Sequence, residues 1–494
     1  MDLRLKLTHE GGVPLYRQVY EQLASRIRSG ELGPGERLPA TRELAGLLGL
    51  NRATISTAYE LLEADHLISG QVGRGSFVRA VGEATEAGFT WEQREGQDAR
   101  PAARAGGPAG QAEISFAVSR PSRDLFPLDD FRASCAAVLA RQDLADILQL
   151  GCPGGYEPLR RVLLEQARRE HLASAADDVL VTNGCQQALD LIGRVLVRPG
   201  DTVAVEDPVY PGLHNLLTGI GARLAAIPMG PDGLDLAVLE RVLRAAGGAK
   251  PRLLVVTSNF QNPTGATLPL AARRAVLEIA RTAGVPVVEN DAYGELRYSG
   301  EPLPALKQLD ESGGTVLLRS FSKISFPGLR VGWALGPKAL IDRLRQAKEA
   351  ADLHTDQLSQ AVLLEFMESG RLDSHRARVL RAGAERLAAT LEGCRRHMPA
   401  GTRFTHPEGG MNVWLRLPEP MNTAELLPRA RKEGVGYLPG SYFTIARPDP
   451  GALRLSFASL TPEQIGRGLE LLGRVASAEE ERAAAEFEPA SAMV

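Results

Sequence analysis

The chain has 494 residues, 44% of them hydrophobic and 24% charged; this is ordinary globular composition in a chain too long for one domain, and two or three are expected. A net charge of −3, with ten Lys/Arg against nine Asp/Glu in residues 1–80, excludes nucleic-acid binding through bulk basicity and leaves only the arrangement of charges to do it. Four cysteines (Cys135, Cys152, Cys185, Cys394) without C-x-x-C spacing argue against a disulfide scaffold or zinc site, and the absence of a signal-like or bilayer-length apolar run predicts a cytoplasmic protein with no membrane partner.

The first element is a helix over "PLYRQVYEQLASRIRSGEL", with Leu15, Val19, Leu23 and Ile27 on one face. "GPGERLP" reads as a turn, with Pro39 at the first position of a short amphipathic helix, "ATRELAGLLGL". A turn through Gly49 leads to Asn51, an N-cap for a helix from Arg52 to about Ala64. Two short helices joined by a glycine turn form a helix-turn-helix, whose second helix enters the major groove and would present Arg52, Thr54 and Ser56 to the duplex. "LISGQVGRGSFV" follows as a hairpin wing, with Arg74 at a glycine-flanked tip. The whole run resembles the winged-helix DNA-binding domain of the GntR family across residues 13–78. That resemblance implies Arg42, Arg52, Thr54, Gly73 and Arg74 as contacts to double-stranded operator DNA.

Residues 81–113 lack hydrophobic periodicity and read as a flexible linker of roughly thirty residues between the domain at 1–80 and a second at 114–478. In the second, "DDVLVTNG", "TVAVEDP", "RLLVVTSNF", "VPVVEND" and "TVLLRSFS" alternate with helical patterns. Such alternation predicts βαβ units and an α/β domain with a large, mostly parallel sheet. From about residue 355, long helices followed by "GMNVWLRL" and "GALRLSFA" predict a smaller α+β subdomain to about 478, and 479–494 reads as a fraying tail.

The strand ends carry the chemistry. "SFSKISFPGLRVGW" (320–333) sets Lys323 between hydroxyl residues with Arg330 seven positions on, the layout of a lysine that forms an imine beside a bidentate phosphate clamp. "TNGCQQAL" opens a helix after a strand, so the N–H groups of Gly184, Cys185 and Gln186 can hold a phosphate. Tyr210 in "EDPVYPG" is placed to stack on a pyridine ring, and Asn262 in "NFQNPTG" to bond its phenolic oxygen. "ENDAYGEL" offers Tyr293 for the phenolate, and Asn290 or Asp291 for the pyridine nitrogen. Ser320 and Ser322 complete the phosphate site, and Arg454 in "GALRLSFA" would meet a substrate carboxylate.

The set resembles fold type I aminotransferases over residues 115–475, most closely the kynurenine/α-aminoadipate group. The resemblance implies pyridoxal 5′-phosphate on Lys323 and a homodimer with the site at the subunit interface. Together with the winged helix and linker, the chain resembles the MocR (GabR/PdxR) regulators. It is then expected to sense pyridoxal phosphate or a carboxylate-bearing amino compound and, as a head-to-tail dimer, to report to DNA. The alternative is a working aminotransferase with an appended DNA-binding domain, and a third reading makes the large domain a dimerisation scaffold. Three departures bear on the choice. Asn290 stands where aminotransferases have the aspartate three residues before the tyrosine, while Asp291 has the regulators' spacing and is favoured on chemical grounds. Leu150 replaces a tyrosine, and Arg319 replaces the glycine common before S-F-S-K.

Overall fold

The computed structural model describes residues 5, 7, 14–65, 67–71, 75–79, 112–230, 233–245, 250–446 and 448–487. The chain divides into two compact units, Met1–Asp98 and Ala99–Val494. The linker expected over 81–113 lies, up to residue 111, outside the described residues.

The first unit packs α1 (Leu15–Arg28), α2 (Thr41–Leu48) and α3 (Arg52–Ala64) on a small hairpin of β1 (Ile68–Gln71) and β2 (Gly75–Val78). Val19, Leu23 and Ile27 of α1 are buried with Leu44, Ile55 and Leu62, so the helical spacing read in the sequence is the core face. Gly49 ends α2 in the left-handed region, φ 66°, and the Asn51 side chain accepts the Ala53 N–H at 3.0 Å to start α3. Pro39 is not the first helical residue. Ala40 is the cap and Pro39 precedes it, while Tyr59 donates its hydroxyl hydrogen to the Pro39 carbonyl. The segment expected as a plain turn also edges the wing. Arg37 bridges to Phe77, and the Leu38 N–H bonds to the Ser76 carbonyl.

In the second unit, β3 (Ile114–Ser115) precedes an eight-stranded sheet. Its strands in chain order are β4 (Asp177–Thr182), β5 (Thr202–Asp207), β6 (Arg223–Gly230), β7 (Gly233–Leu234), β8 (Pro251–Val256), β9 (Val287–Asn290), β10 (Thr315–Ser320) and β11 (Gly332–Pro337). They lie in the order β4-β11-β10-β9-β8-β5-β6-β7, with β11 and β7 antiparallel to their neighbours. Both faces are covered. Leu180, Val316, Leu318 and Ala334 pack under the helices Cys185–Leu196 and Lys338–Asp352, while Val179, Val181, Leu317 and Leu335 face the opposite core. That is why these strands read as continuous apolar runs and not as alternating ones.

The smaller subdomain holds a second sheet of β12 (Arg403–Phe404), β13 (Asn412–Arg416), β15 (Leu438–Pro439) and β16 (Ala452–Ser456), and β14 (Val435–Gly436) pairs in parallel with β3. Three boundaries differ from the sequence reading. Ile114 and Phe116 are buried in the small subdomain's core, so the residues after the linker close that subdomain and not the large one. The helix Gln357–Glu368 belongs to the large core, and the helix Arg371–His397 spans both, burying Val379 in one and Leu387 and Cys394 in the other. The division therefore falls inside a helix and not near 355. The final helix runs Pro462–Phe487, so the stretch expected as a tail from 479 is helical to 487. Its alanines, glutamates and arginine are strong helix formers, and the lack of an amphipathic stripe masked that propensity.

Candidate cofactor site

A cavity of about 360 Å³ opens at the carboxyl ends of the central strands, between the large sheet and the small subdomain, where open α/β sheets bind ligands. It gathers twelve of the thirteen residues singled out in this domain: Gly184, Cys185, Gln186, Tyr210, Asn262, Asn290, Tyr293, Ser320, Ser322, Lys323, Arg330 and Arg454. Asp291 is not on its wall.

The corner around Gly184 and Arg330 is built by close approach. Gly184 caps the helix Cys185–Leu196 with φ 82° and ψ 172°, and a Cβ there would lie 2.6 Å from Arg330 Nη2. Gly332 is equally required, since its Cβ would lie 2.7 Å from the Gly184 Cα. Arg330, itself at φ 56°, donates to the Asn183 carbonyl at 2.8 Å and to Ser322 Oγ at 3.3 Å. Ser320 Oγ donates to Ser322 Oγ at 2.9 Å and accepts the Ser322 N–H at 3.1 Å. The Gly184 N–H, expected to face a phosphate, is instead spent on the Thr182 carbonyl at 2.8 Å. The Cys185 and Gln186 N–H groups at the helix start, two hydroxyls and a guanidinium converge on one corner, a donor set suited to a phosphate dianion. Burial raises the Cys185 thiol to about 12, so it sits in this corner as a neutral thiol.

Asp352, which no motif marks, braces this corner from behind. It accepts from Asn183 Nδ2 at 2.9 Å, from Gln187 Nε2 and from the fully buried Lys348.

Lys323 Nζ donates to the Ser119 carbonyl at 3.0 Å and stands 5.3 Å from the centre of the Tyr293 ring. Asn262 Nδ2 donates to the Tyr293 hydroxyl at 3.3 Å, which pairs the two groups expected at the phenolic oxygen. The Tyr210 ring folds over Gly212, where a Cβ would lie 2.4 Å from it. Beneath these loops Glu206 accepts from the Thr257 N–H at 2.8 Å and Gln261 Nε2 at 3.1 Å, and burial raises its carboxyl to about 7.

Arg454 is 4% exposed, donates to Asn262 Oδ1 at 3.0 Å and to the Ala117 carbonyl, and lies 5.0 Å over Phe443. Among the described residues its Nε has no partner, and burial lowers the guanidinium to about 10, against the favourable pull of Tyr293 and Tyr210. A buried cation short of acceptors suits an incoming carboxylate.

Asn290 ends β9 on the cavity wall. The next residue turns the other way: Asp291 accepts from Asn259 Nδ2 at 2.8 Å and from Arg319 Nε at 3.1 Å. Arg319, in place of the expected glycine, also reaches Glu170 at 3.5 Å and lies 5.9 Å from the Trp333 ring. The chemical preference for Asp291 at the ring nitrogen is thus opposed by position, because successive residues leave a strand on opposite sides. Leu150 is 72% exposed and does not line the cavity. Sequence reasoning missed Ala117, Val118, Ser119, Leu438, Tyr442 and Phe443, which the small subdomain and the segment after the linker bring to the cavity. No motif marks them.

In the first unit Arg42 and Arg52 are exposed and Thr54 half-buried at the start of α3. Among the described residues neither arginine is paired. Gly73 and Arg74 lie outside the described residues.

Residues 131–472 match the model of the aminotransferase class I and II family, and residues 15–78 that of the bacterial regulatory proteins of the gntR family. The probable rhizopine catabolism regulatory protein MocR of Rhizobium meliloti is 30% identical over 95% of both chains. The chain belongs to the aminotransferase class I and II family, in its MocR-type regulator branch. The 2-aminoadipate transaminase of Thermus thermophilus is 38% identical over 73% of this chain and 89% of its own. The α-aminoadipate aminotransferase LysN of the same species, solved with N-(5′-phosphopyridoxyl)-L-leucine, superposes with a TM-score of 0.73 at 36% identity, covering 80% of this chain and 100% of that one. A MocR-type chain carries a GntR-type DNA-binding domain and an aminotransferase-like domain, and the latter fold implies dependence on pyridoxal phosphate. Among the described residues no helix is long and apolar enough to cross a membrane.

Proposed function

We propose that this MocR-type regulator holds pyridoxal phosphate on Lys323 and uses it to sense an amino compound, or the cofactor itself, and so to set its grip on operator DNA. The carrying observation is the cavity that unites Lys323, the Arg330 corner and the buried Arg454 in a chain that also bears a GntR-type domain. When bound, the cofactor supplies an aldehyde that captures amines and a ring that withdraws electrons. The chain's own groups do the rest. The Cys185 and Gln186 N–H groups, Ser320, Ser322 and Arg330 anchor the phosphate, Gly184 leaves room for it, Asn262 and Tyr293 hold the phenolic oxygen, and Tyr210 lies against the ring. Arg454 orients an effector by its carboxylate. Arg42, Arg52 and Thr54 contact DNA, together with Gly73 and Arg74. A head-to-tail homodimer would set two such heads on paired half-sites, and the exposed Leu148, Leu150 and Leu353 support a protein-covered surface.

The test is retention of fragmented genomic DNA by the purified protein, with and without pyridoxal phosphate, followed by sequencing. A few sharp sites whose occupancy changes with the cofactor or with amino compounds are expected. Retention of no specific site under any condition would overturn the regulator reading.

A second reading is favoured by one observation. Lys323, Tyr293 and Arg454 line one cavity, as a transaminase would need, and a relative 38% identical is named 2-aminoadipate transaminase. Sustained amino-group transfer to a 2-oxo acid, lost in Lys323→Ala, would establish it.

A further inference from the structure

Among the described residues lining the cavity there is no aspartate or glutamate, whereas Lys323, Arg330 and Arg454 bring three cationic side chains to it. The carboxylates behind the wall are committed elsewhere. Asp291 serves Asn259 and Arg319, and Glu289 accepts from Ser258 Oγ and from the Leu306 and Lys307 N–H groups. Asn290 ends β9, the strand between β10, which ends at Ser320 in the phosphate corner, and β8, whose following loop supplies Thr257 and Asn262. It therefore sits on the floor between the two sets of residues that would hold the ring's substituents. Its Oδ1 is buried and, among the described residues, has no hydrogen-bond partner, so either end of the amide can be turned toward a ring.

We infer that Asn290 is the partner of the cofactor's pyridine nitrogen, and that this nitrogen stays unprotonated. The inference rests on the cofactor reading above and deepens it. A carboxylate at that place would favour the pyridinium by its charge. A neutral amide does not, and among the described residues no carboxylate lines the cavity to offset a further positive charge on the ring. A neutral ring withdraws electrons weakly, so the site captures an amine without driving the proton shift that completes transamination. Arg319 is part of the same device, because its pairing with Asp291 keeps the carboxylate next to Asn290 in the chain on the far side of the wall. Two departures from the aminotransferase pattern thus share one consequence: a site built to hold an amine and to convert it slowly.

The experiment loads full-length protein with pyridoxal phosphate labelled with ¹⁵N in the ring and reads the nitrogen's chemical shift. Borohydride reduction and mass spectrometry at Lys323 run in parallel. The wild type is expected at the position of a neutral, hydrogen-bonded pyridine. Asn290→Asp is expected to move it to the pyridinium position. An adjacent opposite charge raises proton affinity by ~1–3 pKa units, so the protonated fraction rises about tenfold to a thousandfold, and conversion of a bound amino acid to its oxo acid should quicken in step. A wild-type nitrogen at the pyridinium position overturns this assignment and leaves the cofactor reading intact. Protein that takes up no label at Lys323 overturns both. The wild-type spectrum decides the matter even if the variant does not fold.

Discussion

Substitution of Gly184 by alanine tests the phosphate corner most sharply. The residue adopts φ 82° and ψ 172°, a region essentially reserved for glycine, and a side chain there costs ~1–3 kcal/mol in backbone strain alone. The added Cβ would also meet Arg330 Nη2 at 2.6 Å and Cζ at 3.3 Å. Arg330 is held to Asn183 and Ser322, and Gly332 blocks retreat because it already abuts the Gly184 backbone. The guanidinium must therefore leave its place. Losing one charged hydrogen bond to a phosphate costs ~1.5–3 kcal/mol, or about 10- to 150-fold in affinity. The assay is titration of cofactor-free protein with pyridoxal phosphate, followed by imine absorbance, beside thermal unfolding of the same samples. Gly184→Ala should bind about 10- to 150-fold more weakly and unfold a few °C earlier. If the effect runs through Arg330, the double variant with Arg330→Ala should bind no worse than Arg330→Ala alone. Affinity within twofold of wild type, roughly the scatter expected of a silent substitution, would refute the claim that this approach builds a phosphate site.

Lys323→Ala should abolish the imine absorbance and the borohydride-fixed adduct while the far-ultraviolet spectrum is unchanged; a surviving adduct would place the attachment elsewhere. Glu206 should give stability a pH slope. Its folded value, about 7, lies above the ordinary 4.5, so the folded state holds the proton more tightly. Its contribution is then most favourable below about pH 4.5 and is lost as pH rises through about 7, by at most ~3 kcal/mol. Denaturant unfolding at pH 5 and pH 8 should show wild type losing stability relative to Glu206→Gln over that interval, and parallel curves would contradict the buried assignment. Arg52→Ala should weaken binding to all operator variants alike and lower the salt slope by about one, as for a lost phosphate contact; a change confined to one base position would make Arg52 a base reader.

Where a feature is made by neighbours in the chain, the sequence alone determined it. Asn51 capping α3, Gly49 ending α2, and the Ser320–Lys323–Arg330 run are local devices, and their chemistry follows from spacing of a few residues. The apolar runs of the central strands likewise announced a sheet buried on both faces. What depends on distant segments was decided by tertiary packing. Ser119 reaches Lys323 across some two hundred residues, and β3 joins β14 to close the small subdomain from the far end of the chain. Asp352 braces a loop whose motif contains no hint of it. The choice between Asn290 and Asp291 is the clearest case. Chemistry favours the carboxylate. A strand end, however, sends consecutive side chains to opposite sides, and only the pairing of β9 between β8 and β10, with Arg319 waiting behind, decides which of the two faces the cavity.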